Sequence, residues 1–158
     1  MLNYSGKQQS GFTLLELLVV MVIMGIMLGA ISFTVGQSTH QQLRSEAERI
    51  ALLLDLVREE AIVRNRPTMF EADEHSYQFK VRNEMKWELI NDVDTLRKRD
   101  FAMAPVKLEL LPNDYFQQKT TIIFGKEPVH RPFELILRIA DDQVRIRADG
   151  VGHFEVSE

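Results

Sequence analysis

The hydrophobic positions of the chain fall into three regions that differ in their period. In the first region, residues 12–35, nearly every residue is apolar and Glu16 carries the only formal charge. A helix of this length extends about 36 Å, which exceeds the roughly 30 Å hydrocarbon core of a bilayer. We therefore predict a transmembrane helix. The alternatives are an ordinary secretory signal, whose apolar core is shorter and ends in a small-residue cleavage site, a plain single-span anchor, and a buried core helix.

The second region, residues 36–66, has the period of an amphipathic helix. Its apolar residues recur in alternating steps of four and three and so lie on one stripe. The members of this stripe are Leu43, Ala47, Ile50, Leu54, Val57 and Ala61. Packing of the stripe on a sheet is favoured over a coiled coil, because branched residues do not occupy regular seam positions. Pro67 is the predicted stop, and the pattern is compatible with one continuous rod from Phe12 to about Asn65.

The third region, residues 67–158, has the alternating period of β-strands. Strands are predicted at 68–72, 77–82, 87–90, 106–110, 120–124, 133–139 and 143–148. Two hairpins are predicted, with turns at 73–76 and 140–142, whereas residues 91–105 are predicted to be a loop or short irregular element. The fold class is therefore α+β: a long helix, then about six to eight strands whose antiparallel sheet is covered on one face by the apolar stripe.

The composition and the absence of known motifs argue against several classes of function. The net charge of −4 gives no general attraction to nucleic acid. The absence of cysteine excludes disulfides and thiolate metal sites. The sequence has no P-loop and no nucleophile motif. Its histidines are scattered without metal-ligand spacing: His40, His75, His130 and His153. We therefore predict no enzyme, no catalytic residue, no cofactor, no metal site and no small-molecule substrate. Asp141, Asp142 and Asp149 lack the pattern of a calcium loop and are predicted to belong to turns.

The residues before the apolar region carry a specific signal. A short polar leader with Lys7 ends at Gly11, and the segment "GFTLLE" from Gly11 to Glu16 then joins the apolar run directly. This arrangement resembles the prepilin signal of type IV pilins and type II secretion pseudopilins. The resemblance implies that a prepilin peptidase cleaves after Gly11, on the cytoplasmic side, and methylates the new amine of Phe12.

A carboxylate near the start of an apolar helix needs a reason, since a charge at the centre of a bilayer costs roughly 2.5–3.5 kcal/mol on insertion scales. The resemblance implies that Glu16 meets the terminal amine of a neighbouring subunit in an assembled filament. Such a pair of opposite charges would favour one axial register between neighbouring subunits. The alternative is an interfacial carboxylate, or one stabilised by the positive N-terminus of the helix.

The positive charges predict the orientation of the chain. Lys7 precedes the apolar region, and no lysine or arginine follows until Arg44. The positive flank is expected in the bacterial cytoplasm, so the remainder is placed in the periplasm. The predicted organisation is a leader at 1–11, a transmembrane or filament-core helix at 12–35, a stem helix at 36–66 and a β-rich periplasmic head at 67–158.

The head carries a second resemblance. The layout is similar to the pilin fold, a long N-terminal helix packed on a β-rich head. Two segments, "TIIFGKEPVHRPFELILRI" from Thr121 and "VRIRADGVGHFEV" from Val144, resemble the H-type minor pseudopilin of type II secretion, the GspH family. The matching positions are Phe124, Gly125, Pro132, Phe133, Leu135 and Leu137.

The second resemblance implies a function and partners. It implies a methylated inner-membrane subunit near the tip of the periplasmic pseudopilus, where it supports protein export across the outer membrane. The implied partners are the prepilin peptidase, the other major and minor pseudopilins and the inner membrane.

Two other functions stay open. One is a minor pilin of a type IV pilus, similar to FimT, that acts in pilus assembly or DNA uptake. The other is a single-span membrane protein with a periplasmic binding head and no filament. Arg138, Arg145 and Arg147 would form a basic strip for DNA, but the acidic total favours arginines paired with Glu134, Asp141 or Glu155. No nucleic acid is therefore expected as a partner.

Overall fold

The computed structural model describes residues 13–31, 38–112 and 119–158. The chain divides into two compact units, Met1–Gly36 and Gln37–Glu158. The first contains helix α1, Leu14–Ile31. Within the described residues, none of the helices has both the length and the apolar character needed to cross a membrane. The ends of the predicted segment 12–35, residue 12 and residues 32–35, lie outside the described residues.

The second unit begins with helix α2, Thr39–Val63. Ser38 caps this helix: its backbone is extended (ψ 151°), and its side-chain oxygen accepts a hydrogen bond from the Gln41 N–H at 3.2 Å. At the other end, Asn65 has a positive φ of 52° and Pro67 follows. Helix α2 thus lies within the stem predicted at 36–66 and begins after Ser38; the residues that would join it to the first helix in a continuous rod, 32–37, lie outside the described residues.

The strands follow the sequence closely. Within the described residues they are β1 Thr68–Ala72, β2 Ser76–Asn83, β3 Lys86–Leu89, β4 Arg99–Asp100, β5 Lys107–Leu111, β6 Thr120–Phe124, β7 Phe133–Ile139, β8 Asp142–Ala148 and β9 Phe154–Ser157. The two predicted hairpins are present as β1–β2 and β7–β8. The region predicted as irregular contains a 3₁₀ turn, Asp94–Leu96, and the short strand β4. Strand β9 was not predicted.

The strands form two antiparallel sheets, where the sequence led us to expect one. The first sheet has the order β3-β2-β1-β6, with β4 also paired to β2, and the second has the order β5-β7-β8-β9. In the first sheet, Phe70 lies opposite both Phe79 and Ile122. In the second, Leu135 lies opposite Ile146. The inner faces of both sheets therefore present large apolar side chains.

Helix α2 joins the two sheets through one hydrophobic core. It contacts β1 and β6 of the first sheet and β7, β8 and β9 of the second. All six predicted stripe residues are fully buried at 0% exposure: Leu43, Ala47, Ile50, Leu54, Val57 and Ala61. Burial of a leucine or isoleucine side chain contributes about 1.5–3 kcal/mol, so this stripe is a major part of what holds the stem to the head.

Candidate functional site

Thr13 lies directly before helix α1 and bonds to its first turn. The Thr13 carbonyl oxygen accepts hydrogen bonds from the N–H groups of Glu16 (3.0 Å) and Leu17 (3.3 Å). The Thr13 hydroxyl also accepts a bond from the Glu16 N–H at 3.3 Å. This Thr-x-x-Glu spacing is a helix-start signal that our sequence analysis did not use. It places Glu16 in the first turn, where the positive end of the helix favours a carboxylate.

The described surface of α1, residues 14–26, is apolar on every side apart from Glu16. From Leu14 to Ile26 its large apolar side chains are between 44% exposed at Val20 and 84% exposed at Leu14. A helix with an apolar stripe packs that stripe on a core, whereas a helix that is apolar all round needs apolar surroundings on all sides. A surface of this kind indicates contact with lipid or with other apolar helices.

The residues predicted to form the processing site differ in what the structure says of them. Glu16 lies in α1 with its backbone held by Thr13, as above. Gly11 and Phe12, the predicted cleavage and methylation positions, lie outside the described residues. Cleavage after Gly11, methylation of Phe12 and pairing of Glu16 with an amine therefore stay predictions.

Arg58 connects the stem helix to two loops of the head. Its side chain is only 12% exposed. The Nη2 atom donates hydrogen bonds to the carbonyl oxygens of Pro128 (2.7 Å) and Val151 (3.1 Å). Gly152 lies against this guanidinium and has a φ of 114°, a backbone conformation that favours glycine. The sequence placed Arg58 off the apolar stripe and gave no signal for this contact.

The loop between β8 and β9 is held by the side chain of Asp149. Its Oδ1 atom accepts hydrogen bonds from the N–H groups of Val151 (2.8 Å), Gly152 (3.1 Å) and His153 (3.1 Å). The bond from the Val151 N–H, followed by the side chain and then the backbone of His153, lowers the pKa of Asp149 below its ordinary value. Gly150 closes the loop at a φ of 89°. The arrangement orders a turn, as predicted for Asp149.

A charged pair lies within the N-terminal half of α2. Arg49 donates from Nη2 to both carboxylate oxygens of Glu46, and Glu46 is only 9% exposed. Nearby Tyr77 is fully buried, and burial raises the pKa of its hydroxyl to about 12. A second polar contact joins stem and head, where the Thr68 hydroxyl donates to the Val57 carbonyl oxygen at 2.8 Å. The Thr68 bond ties α2 to β1, whereas the Glu46–Arg49 pair lies within the helix itself.

The histidines lie apart from one another in the described part of the chain. In the part of the chain that the structure describes, no three histidine, aspartate or glutamate residues are grouped as metal ligands. His130 instead packs among aromatic rings, 5.3 Å from Phe124 and 5.7 Å from Phe133. His153 lies 2.7 Å from Asp149, a pair that the sequence analysis missed because the turn brings them together.

Two of the three arginines of the predicted basic strip pair with acids. Arg147 pairs with Glu134 at 2.9 Å, as predicted. Arg138 pairs instead with Glu109 at 3.3 Å, because β5 lies beside β7 and Glu109 is two residues along from Lys107, the residue opposite Arg138. Two arginines of the strip are therefore matched by acids, which weakens any attraction to the phosphates of DNA.

A groove of about 580 Å³ lies between α2 and β9. One wall carries Leu52, whose side chain is 73% exposed, between Glu48 and Asp55. The other wall contains Phe154 and Glu155. An apolar floor with acidic sides is a surface of the kind that a partner protein covers.

Comparison with known proteins identifies two regions. The family model for the prokaryotic N-terminal methylation motif matches residues 6–32. The model for type II transport protein GspH matches residues 46–152, more than half of the chain. The first match includes Gly11, Phe12 and Glu16, and the second includes most of α2 and the head.

Individual relatives agree with the family match. The chain is 40% identical over 81 residues to type II secretion system protein H of Pseudomonas aeruginosa, which covers 51% of this chain and 47% of that protein. The match thus spans about half the length of that relative.

Two solved structures share the fold. One is the minor pseudopilin EpsH of Vibrio cholerae, with a TM-score of 0.57 and 16% identity over 73% of this chain and 96% of that chain. The other is the type IV minor pilin FimU of Pseudomonas aeruginosa, with a TM-score of 0.54 and 16% identity over 73% of this chain and 88% of that chain. The predicted α+β, pilin-like fold is confirmed.

Proposed function

The chain belongs to the family of type II transport protein GspH, and we propose that it is a minor pseudopilin of a type II protein secretion system. In this role it is a structural subunit near the tip of a short periplasmic filament that supports protein export across the outer membrane. Its partners are the other major and minor pseudopilins. The family is named for transport and not for catalysis, and we expect no enzymatic activity.

The observation that carries this proposal is the apolar surface of α1. Every described side chain from Leu14 to Ile26 is exposed, whereas the head closes its own core around α2. Association of α1 with lipid, or with the α1 helices of neighbouring subunits, removes this apolar surface from water. The same helix thereby serves as an inner-membrane anchor before assembly and as filament core afterwards.

Processing of the leader prepares α1 for assembly. A prepilin peptidase cleaves between Gly11 and Phe12 and methylates the amine of Phe12. The amine then lies close in sequence to the carboxylate of Glu16, and each charge is costly to bury alone. Pairing of Glu16 with the Phe12 amine of a neighbouring subunit relieves both costs at one axial position. The match of residues 6–32 to the N-terminal methylation motif supports this step.

A minor pilin of a type IV pilus is the second candidate, because FimU shares the fold. The GspH family match favours the secretion system. The pairing of Arg147 with Glu134 and of Arg138 with Glu109 argues against a head that binds DNA. DNA binding by the full chain, lost on addition of salt, would favour the pilus.

Glu16→Gln tests the role of the charge in filament assembly. Gln is close to Glu in size but uncharged, so membrane insertion and leader removal should remain normal. Incorporation into the filament should fall strongly, because an unpaired amine would be left in apolar surroundings. The measurements are mass spectrometry of the mature N-terminus and recovery of the chain in chemically cross-linked complexes with the other pseudopilins from secretion-competent cells.

Thr13→Ala is the matched control. It removes the hydroxyl that accepts a bond from the Glu16 N–H but leaves the carboxylate. If only the charge matters, this variant should assemble nearly normally. Equal failure of both variants would show that the start of the helix is what assembly requires. Normal assembly of Glu16→Gln, or a mature chain that still begins at Met1, would contradict the proposal.

A further inference from the structure

Strand β3 forms an open edge of the first sheet. It pairs with β2 on one side, and no described strand pairs with its other side. Its neighbouring side chains are well exposed, with Met85 at 84% and Leu89 at 46%. An unprotected edge strand is a template for pairing with another chain.

The free backbone groups of this edge belong to Trp87 and Leu89. The Ile90 N–H donates to the Phe79 carbonyl oxygen at 3.0 Å, so the residue pair 79/90 is hydrogen-bonded. Hydrogen-bonded and non-bonded pairs alternate along an antiparallel ladder. Trp87 lies opposite Arg82 and is therefore in a non-bonded pair. The Arg82 N–H indeed points the other way, to Pro67 at 2.8 Å, so the N–H and C=O of Trp87 point outward.

The side chains of the edge are divided by character. Within β3, Trp87 and Leu89 alternate with Lys86 and Glu88, so the apolar residues share one face and the charged residues share the other, while Met85 precedes the strand in the turn. The cation of this strand, Lys86, therefore lies two residues from its anion, Glu88. Read in the opposite direction, the order becomes an anion, Trp87 and then a cation, so an antiparallel copy brings opposite charges across from each other.

An antiparallel second copy of β3 fits this pattern in one register. With Trp87 opposite Trp87 of the copy, Lys86 faces Glu88 twice and Met85 faces Leu89 twice. The outward N–H and C=O groups of the two Trp87 residues then exchange hydrogen bonds. Opposite charges directly across two strands stabilise their pairing.

The neighbouring registers are disfavoured by charge. Sliding the copy by two residues in one direction places Glu88 opposite Glu88. Sliding it in the other direction places Lys86 opposite Lys86. Like charges directly opposite each other are destabilising. By contrast, the edge strand β9, Phe-Glu-Val-Ser, carries an anion at Glu155 and no cation, so it has no such complementarity.

We propose that β3 is a self-association edge, which pairs with β3 of a second copy of this chain to join two first sheets into one. The pairing is specified by Lys86 and Glu88 and is centred on Trp87. It concerns the head alone and does not depend on the role of α1 in a filament.

Cross-linking through single cysteines tests the register, since the chain has no cysteine of its own. In the proposed pair, position 87 lies opposite itself at a Cα separation of about 5.5 Å, which suits a disulfide. Position 89 is on the same exposed edge but is about 13 Å from its own copy. Trp87→Cys and Leu89→Cys are introduced separately into the full chain in membranes, oxidised mildly and separated on a non-reducing gel.

We expect a disulfide-linked dimer for Trp87→Cys and little for Leu89→Cys, whereas a mixture of Met85→Cys and Leu89→Cys chains should cross-link. In the Trp87→Cys background, Glu88→Lys or Lys86→Glu alone should weaken association roughly tenfold, because each creates two like-charge contacts. The double exchange Lys86→Glu with Glu88→Lys should restore it. The restored dimer also shows that these charge changes leave the head folded.

Three results would overturn the proposal. The first is cross-linking of Leu89→Cys as strong as that of Trp87→Cys, which indicates random collision. The second is no dimer with Trp87→Cys, or a disulfide only to a protein of another size. The third is a dimer yield that does not change with the single charge reversals, or that the double exchange Lys86→Glu with Glu88→Lys does not restore. None of these outcomes bears on leader cleavage or filament assembly, so the two proposals fail separately.

Discussion

Replacement of Leu54 by Ala tests directly how the stem helix is held on the head. Leu54 is 0% exposed and lies in the middle of the apolar stripe of α2. Leu52, on the same helix and two residues earlier, is 73% exposed. The same substitution at the two positions removes the same atoms from the same helix. The difference between the variants therefore reports burial alone.

The expected magnitudes are well separated. A buried Leu→Ala substitution costs about 2.7–5 kcal/mol, because the transfer free energy is lost and a cavity remains. A domain of this size has a free energy of unfolding of about 5–15 kcal/mol, so Leu54→Ala should remove a large part of it. The midpoint of thermal unfolding should fall by about 10–20 °C. Leu52→Ala should change the free energy of unfolding by less than about 0.5 kcal/mol.

The assay is urea unfolding of the segment Gln37–Glu158, which forms one compact unit and contains the whole described core. Trp87 is the only tryptophan, so its fluorescence and the far-ultraviolet circular dichroism provide two independent probes. Equal losses for the two variants, or a larger loss for Leu52→Ala, would refute the assignment of the buried face of α2. A change in the urea slope would show that the comparison is not between the same folded and unfolded states.

Two further predictions concern the loops held at the stem–head junction. Arg58→Met keeps most of the apolar packing but removes the bonds to Pro128 and Val151, so the free energy of unfolding should fall by about 1–3 kcal/mol. Arg58→Lys should have a stability between those of Arg58→Met and wild type. No loss of stability for Arg58→Met in the urea assay would contradict this role. The native pKa of Asp149 is lowered, so its carboxylate contributes stability above the unfolded value of about 3.9, and this contribution is lost as the pH falls below that value. The thermal midpoint of Asp149→Asn should therefore decline less steeply than that of wild type between about pH 5 and pH 3, and parallel declines would exclude this carboxylate as a source of acid sensitivity.

Local patterns in the sequence were sufficient to predict the elements and the buried face of the stem. Residues at steps of four and three must share a side of a helix, and all six of them are buried, Leu43 and Ala61 at its two ends included. The hairpin turns were predictable because polar residues interrupt two alternating runs at 73–76 and 140–142.

The partition into two sheets was not predictable in the same way. Alternation shows which side chains face the core, but it does not show which strands are neighbours. Strand β9 was missed because it is short and follows Gly150 and Gly152, which read as a loop. The contacts of Arg58 depend on two loops that are distant in sequence.

The candidate site was predictable only in part, for a related reason. The segment from Gly11 to Glu16 is a contiguous signal, so it was recognised without any structure. The position of β3 at a sheet edge could not be predicted from the sequence, because it depends on which strands are neighbours in the folded head. Lys86 and Glu88 read from the sequence as ordinary solvated charges. Their role in pairing can be inferred only when the register with β2 shows which backbone groups of β3 point outward.

The two proposed contacts share a physical logic. Burial of apolar surface is non-directional, so a helix that is apolar on every side can slide or rotate among similar helices with little change in buried area. A strand edge likewise keeps most of its hydrogen bonds when it slips by two residues. Apolar area therefore supplies affinity in both places but does not select one arrangement. Glu16 in α1 and the pair of Lys86 and Glu88 in β3 supply that selection, because a charge left without its partner penalises every other register. Removing these charges should accordingly disturb the geometry of assembly more than the stability of the folded chain.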